Sequence, residues 1–190
     1  KTAAVVRYGA WGDSLQSCSV FPGLKKQGYH ITLYTTPRSY EVVKHDPNID
    51  RVIIQDGEQV PNAALGSFWE NESKKYDKWI NLSESVESTF LALNDRMNSR
   101  WPKSVRDKQL NYNYVQFQHE LAEVPYKLAM KFYPTLEEKN WAIDKRIEFK
   151  AKPLILWALN GSSVHKVWPH IDQIFARMML HYPECKIVTC

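Results

Sequence analysis

The sequence feature that most constrains the fold is an alternation of short apolar runs with segments that carry helix signals. Residues 3–8 (AAVVRY) form an apolar run that ends at Gly9. Residues 30–35 (HITLYT) and 51–54 (RVII) are further runs of this kind, rich in β-branched side chains. Strands that alternate with helices in this way are typical of a parallel sheet. We therefore predict an α/β fold, a parallel sheet with helices on both faces.

The remaining elements of the first 150 residues follow from capping residues and periodicity. The first helix begins near Asp13 and Ser14, which are good N-cap types, and is closed by Gly28. Thr135 caps the last helix, with Glu137 and Glu138 in its first turn. We predict a fourth strand at 78–82 and further helices at 40–44, 83–93, 113–121 and 134–149. Residues 56–76 and 94–111 are predicted to be loop or short helix.

The pattern restarts after Lys152-Pro153. Residues 154–159 (LILWAL) again resemble a buried strand, and a Gly/Ser loop, a helix at 169–180 and a strand at 186–188 follow. A parallel sheet needs more strands than this to cover its faces. We therefore predict a first domain at 1–150 and the start of a second at 151–190, in a chain that is part of a longer one.

Composition narrows the function. The net charge of +4 is spread without runs of like charge, which does not indicate an extended nucleic-acid surface. The three cysteines form an odd set without C-x-x-C spacing, which suggests neither a disulfide framework nor a zinc site. No run approaches ~18 apolar residues, and the N-terminus lacks the pattern of a signal peptide. We expect a cytoplasmic enzyme without a transmembrane helix.

The loop at 9–14 (GAWGDS) follows the first strand, and ligands of open α/β sheets bind at the carboxyl ends of strands. Its G-x-x-G spacing does not match the dinucleotide fingerprint, and the second strand ends in Thr35-Thr36 without a ribose-binding acid. Nicotinamide binding is therefore disfavoured, and a Walker A loop is absent. Asp13 has two interpretations that position alone does not separate: a helix cap, or a general base for an acceptor hydroxyl.

The segment 160–169 (NGSSVHKVWP) repeats this layout in the second unit. Backbone N–H groups, the Ser162 and Ser163 hydroxyls and Lys166 at a helix start would form a diphosphate site. For Trp168 a place in the core is the better expectation. The histidines here show no metal-ligand pattern, and the chain has no D-x-D to hold a divalent cation, so no metal is expected.

Three segments together carry a resemblance. Residues 5–15 (VVRYGAWGDSL) with 22–25 (PGLK), 76–82 (YDKWINL) and 166–169 (KVWP) resemble, in order, motifs of glycosyltransferase family nine, the heptosyltransferases. That family implies a GT-B fold, in which two Rossmann-like domains bind the acceptor and the nucleotide sugar. Asp13 matches its proposed catalytic base and Lys166 its phosphate-binding lysine, with Gly12 and Trp11 on the acceptor side.

The resemblance implies an inverting, metal-independent transfer of a heptose-like sugar from a nucleoside diphosphate, such as ADP-heptose, to a glycan or lipopolysaccharide-type acceptor. It implies no cofactor besides that co-substrate, and a cytoplasmic location at the inner face of the membrane, where a lipid-linked acceptor is met. The later donor-domain segments would lie beyond Cys190, so the 190-residue chain alone is expected to be incomplete for activity.

The chain departs from the family pattern in ways that leave the acceptor open. Trp11 is bulkier than the usual residue before Gly-Asp, and around residue 60, where the family often carries basic acceptor contacts, only Gln59 and Asn62 are found. Arg38 and Lys44 are the nearest cations, and we assign neither a role. Two alternatives remain: a GT-B sugar-nucleotide epimerase, or a non-catalytic sugar- or partner-binding module, which the aromatic content of 13% would suit.

Overall fold

The computed structural model describes residues 1–55, 64–84, 102–159 and 166–189. They divide into two compact units, Lys1–Tyr133 and Pro134–Cys190. The first unit contains β1 (Thr2–Val6), α1 (Trp11–Ser17), α2 (Phe21–Lys26), β2 (His30–Thr35), α3 (Pro37–Val43), β3 (Arg51–Ile54), α4 (Leu65–Ser73), β4 (Lys78–Asn81), α5 (Lys103–Leu110) and α6 (Tyr114–Leu121). The second contains α7 (Leu136–Phe149), β5 (Leu154–Trp157), α8 (Ile171–His181) and β6 (Lys186–Thr189).

The four strands of the first unit form one parallel sheet in the order β3-β2-β1-β4. Because successive side chains of a strand point to opposite faces, β1 supplies both sides of the sheet. Val5 belongs to a cluster with Phe21, Leu24 and Leu33, whereas Ala4 packs with Trp69 on the other side. The α/β prediction, with a parallel sheet flanked by helices, is therefore confirmed.

The face of Ala4 is covered by an aromatic cluster that the sequence analysis did not foresee. Trp69, from α4, contacts Tyr34 of β2 and Trp79 of β4, with ring centroids 5.9 and 5.7 Å apart. The Tyr34 hydroxyl also donates to the carboxylate of Glu72, another residue of α4, at 2.7 Å. A segment expected to be loop or short helix is thus a helix held by packing against the sheet, because tertiary burial outweighs its weak periodicity.

The first predicted helix is interrupted. A 3₁₀ turn at Cys18–Val20 separates α1 from α2, and Pro22 is the second residue of α2. Proline has no N–H with which to continue the hydrogen-bond ladder of the preceding turn, so the helix restarts there. Gly28, after α2, has φ +84° and lets the chain turn into β2.

An ion pair joins the edge of the sheet to α2 and gives a testable pH dependence. Asp50 accepts hydrogen bonds from the Lys25 ammonium at 2.8 Å and from the Ile31 N–H at 2.6 Å. Burial alone would raise the pKa of Asp50, but these donors outweigh it and lower that pKa. The Asp50 carboxylate therefore contributes fully to stability above its unfolded-state pKa of about 3.9. This contribution is lost as the pH falls through the lower pKa that Asp50 has in the folded protein.

We accordingly expect Asp50→Asn to lower the free energy of unfolding at pH 7 by up to about 1 kcal/mol, since the pair is partly exposed. The difference from the unsubstituted chain should shrink as the pH falls from about 4 towards 2. Urea unfolding at a series of pH values measures both. A difference that stays constant over this range would show that the Asp50 charge does not contribute.

The second unit is a β5-β6 parallel pair with α7 and α8. Thr135 caps α7 as predicted: its hydroxyl accepts from the Glu138 N–H, and the Glu138 carboxylate accepts from the Thr135 N–H. The structure groups α7 with this unit, whereas the sequence assigned it to the first domain. The predicted boundary at residue 150 stays a prediction.

Candidate functional site

The candidate site lies where the four strands of the first unit end. Because all four are parallel, their carboxyl ends meet at one edge of the sheet, where ligands of open α/β sheets bind. The backbone there is joined across strands. The Arg7 N–H donates to the Tyr34 carbonyl at 3.0 Å, and the Thr35 hydroxyl donates to the Arg7 carbonyl at 2.9 Å. Thr35 thus has a structural role, and the edge is well defined.

Asp13 stands at this edge. It is the third residue of α1, whose N-cap is Ala10, so the expectation that Asp13 or Ser14 is the N-cap is wrong. One carboxylate oxygen, Oδ2, accepts from the Ala10 N–H at 2.8 Å, and the other, Oδ1, lies 3.2 Å from Nη2 of Arg7. Its side chain is 27% exposed. The carboxylate is therefore fixed from two sides and still reaches solvent.

Arg7 is the main site residue that the sequence analysis missed. It is 3% exposed, and besides Asp13 its guanidinium donates to the Leu82 carbonyl at 3.2 Å and lies 5.6 Å from the Tyr114 ring centroid. Arg7 follows β1, and its partners come from α1, from the end of β4 and from α6. A buried arginine with a carboxylate partner holds that partner in one geometry. The available signal was a charged residue directly after an apolar strand.

Gly9 is the glycine that the loop requires. Its φ of +146° is unfavourable for residues with a side chain, and a Cβ built there would lie 2.7 Å from Asp13 Oδ2. A Cβ on Gly12, in contrast, would meet nothing within 4 Å. Close packing therefore explains Gly9, and nothing in the described structure demands glycine at position 12. An acceptor-side role for Gly12 stays a prediction.

Tyr8 forms another part of the edge. Its hydroxyl donates to Oε1 of Gln55 at 2.5 Å, and its backbone N–H donates to the Ser83 hydroxyl oxygen at 2.8 Å. Burial raises the pKa of Tyr8, so the phenol stays protonated and keeps its donor role at neutral pH. Polar side chains that follow β1, β3 and β4 are thus joined at the carboxyl edge of the sheet, the edge at which Asp13 also lies. Neither Tyr8 nor Gln55 was predicted as a site residue.

Trp11, predicted on the acceptor side, is 51% exposed. Its indole N–H donates to the Arg38 carbonyl at 3.0 Å, and the Arg38 guanidinium lies over the ring. The structure therefore joins a predicted site residue to a cation that the sequence analysis left without a role. The sequence does not indicate this contact, because Trp11 and Arg38 lie in different helices that are far apart in the chain.

The predicted phosphate site of the second unit is described only in part. Ser162 and Ser163 lie outside the described residues, as do Gln59, Asn62 and most of the helix predicted at 83–93. Lys166 is exposed and lies between β5 and the start of α8. Trp168 is 56% exposed, so the expectation that it packs in the core is wrong for this chain. It lies before α8, outside the strand and helix faces that pack in this unit.

Within residues 1–55, 64–84, 102–159 and 166–189, no helix is both long and apolar enough to cross a membrane. In the same parts, no group of three or more histidine, cysteine, aspartate or glutamate side chains is placed to hold a metal ion. Metal-independent transfer stays a prediction.

No protein-family model and no curated protein matches this sequence. Solved structures do. ADP-heptose lipopolysaccharide heptosyltransferase II of E. coli is 16% identical to this chain, with a TM-score of 0.61. The match covers 100% of this chain and 64% of that enzyme. A family 9 glycosyl transferase of Veillonella parvula is 18% identical to this chain, with a TM-score of 0.65. The match covers 100% of this chain and 62% of that protein. The chain thus spans less than two thirds of either enzyme.

At these identities the likeness is one of fold. The chain has the α/β architecture of GT-B type glycosyltransferases. The heptosyltransferase-like relationship expected from the three sequence segments is confirmed at this level: both of these structural neighbours are enzymes of the kind that those segments resemble.

Proposed function

We propose that this chain is the acceptor-binding part, and the start of the donor-binding part, of an inverting glycosyltransferase that uses a nucleoside-diphosphate sugar. The observation that carries the proposal is the Asp13 carboxylate. It lies at the carboxyl edge of the sheet, is held by Arg7 and the Ala10 N–H, and remains partly open to solvent. The fold shared with two solved glycosyltransferases supports it.

Asp13 would act as the general base. A carboxylate accepts about four hydrogen bonds, and two donors from the described residues, Arg7 and Ala10, contact it. Acceptor capacity therefore remains for a sugar hydroxyl on the exposed side. As that hydroxyl oxygen bonds to the anomeric carbon, its proton passes to Asp13 and the bond from the anomeric carbon to the diphosphate oxygen breaks.

The leaving nucleoside diphosphate takes the electron pair of the broken bond, and its growing negative charge needs a positive partner. Lys166 would supply that charge, with the Ser162 and Ser163 hydroxyls as further donors to the phosphates. Attack on the face opposite the leaving group inverts the anomeric centre. We propose a heptose-like donor sugar, as in ADP-heptose, a lipopolysaccharide-type or other glycan acceptor, and action at the inner face of the membrane.

The role of Lys166 is tested by calorimetric binding of ADP and ADP-heptose to the longest natural form of the protein that contains this chain. We expect Lys166→Ala to weaken binding of both by roughly tenfold, the effect of one charge-assisted contact. Lys152→Ala is the matched control, because Lys152 is an exposed lysine before β5, at the opposite end of the strand. Its affinity should not change.

The same titrations test the alternative of a non-catalytic binding module. In such a module, Asp13 would serve only to stabilise the first turn of α1, a role that its contact with the Ala10 N–H also fits. If no nucleoside diphosphate binds to any natural form of the protein, the donor-site proposal is wrong and the binding module becomes the leading explanation.

A further inference from the structure

Trp11 and Arg38 form a rigid pair beside Asp13 that the proposed reaction does not use. Trp11 is the first residue of α1, and Arg38 is the second residue of α3. The indole N–H donates to the Arg38 carbonyl at 3.0 Å, and the Arg38 guanidinium carbon lies 5.1 Å from the indole centroid. The backbone carbonyl and the guanidinium of Arg38 therefore both hold the Trp11 indole ring in place.

The backbone under this pair is also fixed. Ser39, which follows Arg38, donates through its hydroxyl to the Gly9 carbonyl at 3.0 Å. Its N–H donates to the Thr36 hydroxyl oxygen at 3.2 Å, which caps α3. The loop before α1 and the first turn of α3 are thereby joined. The orientation of the Trp11 ring is set before any ligand binds, which lowers the entropic cost of binding.

The pair is exposed although its polar edge is satisfied. Trp11 is 51% exposed, and Arg38 is an exposed residue. The indole N–H already has a partner, so what Trp11 offers to a ligand is the apolar ring surface. Sugars pack their C–H groups on such surfaces, and the planar guanidinium binds carboxylates and phosphates through two parallel hydrogen bonds.

The position relative to Asp13 indicates which part of a ligand the pair would contact. Trp11 and Asp13 are two residues apart in α1, and side chains with this spacing do not face each other. The Asp13 carboxylate points to Arg7 and Ala10, whereas the Trp11 ring points to α3. The pair therefore flanks the base, at a place suited to the sugar next to the reacting one.

We propose that Trp11 and Arg38 form a binding subsite for an acidic sugar, with the pyranose ring on the indole and a carboxylate or phosphate group on the guanidinium. The inference rests on the proposed function in one respect, the assignment of this sugar to the acceptor. The binding itself is independent of the donor and of turnover.

The experiment follows the Trp11 indole N–H in two-dimensional ¹⁵N–¹H NMR spectra of the 190-residue chain, which has seven tryptophans. The signal that disappears in Trp11→Phe assigns Trp11. Methyl glucuronide, glucose 6-phosphate, the neutral methyl glucoside and ADP are titrated separately. We expect at least one acidic sugar to shift the Trp11 signal with an affinity roughly tenfold higher than that of the neutral glucoside. The stronger of the two identifies carboxylate or phosphate as the preferred group.

Arg38→Gln should reduce the affinity for the acidic sugar to that of the neutral one. Arg51→Gln is the matched control, because Arg51 is exposed and begins β3 at the opposite edge of the same sheet. The proposal is overturned if neither acidic sugar shifts the Trp11 signal, if the neutral sugar binds equally well, if ADP alone binds, or if both arginine variants lose affinity alike. A protein that binds acidic sugars here but has no transferase activity would contradict the proposed function and leave this subsite standing.

Discussion

Asp13→Asn is expected to reduce sugar transfer by about 10³-fold, because an amide does not accept the proton of the acceptor hydroxyl. The asparagine oxygen still accepts from the Ala10 N–H, so the start of α1 should persist. The ion pair with the buried Arg7 is lost, which we expect to lower the free energy of unfolding by about 2 kcal/mol, less than for a fully buried pair because Asp13 is partly exposed. Initial rates and KM for the nucleotide sugar, measured in the longest natural form of the protein, separate these effects. The loss should lie in kcat, with KM little changed.

Glu137→Gln is the matched control for Asp13→Asn. It removes a carboxylate from the first turn of another helix, α7, which does not begin at a strand end of the four-stranded sheet. Its transfer rate should equal that of the unsubstituted protein. An Asp13→Asn variant that keeps its transfer rate, or that loses rate only in proportion to lost folded protein, would show that Asp13 serves the helix and not the reaction.

Gly9→Ala is expected to give the largest loss of stability among the loop variants, roughly 2 kcal/mol, together with loss of transfer. Two effects add: φ of +146° strains an alanine, and the new Cβ would lie 2.7 Å from Oδ2 and 2.9 Å from Cβ of Asp13. Relief of that overlap requires Asp13 to leave the position in which it contacts Arg7 and the Ala10 N–H. Thermal unfolding and the transfer assay measure the two consequences separately.

Two other glycines serve as controls for Gly9→Ala. Gly28 has φ +84° but open space around its Cβ position, so Gly28→Ala should lose about 1 kcal/mol from backbone strain and keep full activity. Gly12 lies within α1 with open space, so Gly12→Ala should be neutral or more stable by about 0.5 kcal/mol. Equal losses in Gly9→Ala and Gly28→Ala would contradict the argument that crowding of Asp13 makes Gly9 necessary.

Local sequence patterns were sufficient for most of the first sheet. β2 and β3 were predicted with the bounds that the structure shows, because β-branched runs between turn residues encode a strand locally. The Thr135 cap was also predicted from local sequence, and the structure adds that Thr135 and Glu138 form a capping box. The break between α1 and α2 was not predicted, and α4 lies in a segment that was predicted only as loop or short helix. The first follows from Pro22, whose effect was overlooked, and the second from packing of Trp69 on the sheet.

For the candidate site, the sequence by itself determined that Asp13 would follow a strand end and that a glycine loop would precede it. It also carried the resemblance whose fold the structural comparison confirmed. Only the tertiary structure decided which glycine is required, and which side chains from other elements meet Asp13 and Trp11. Arg7 carries a local signal, a charge directly after an apolar strand, but the sequence does not show which side chains Arg7, Gln55 and Arg38 contact. Their contacts exist because a parallel sheet collects strand ends that lie far apart in the chain, and no local pattern encodes that proximity.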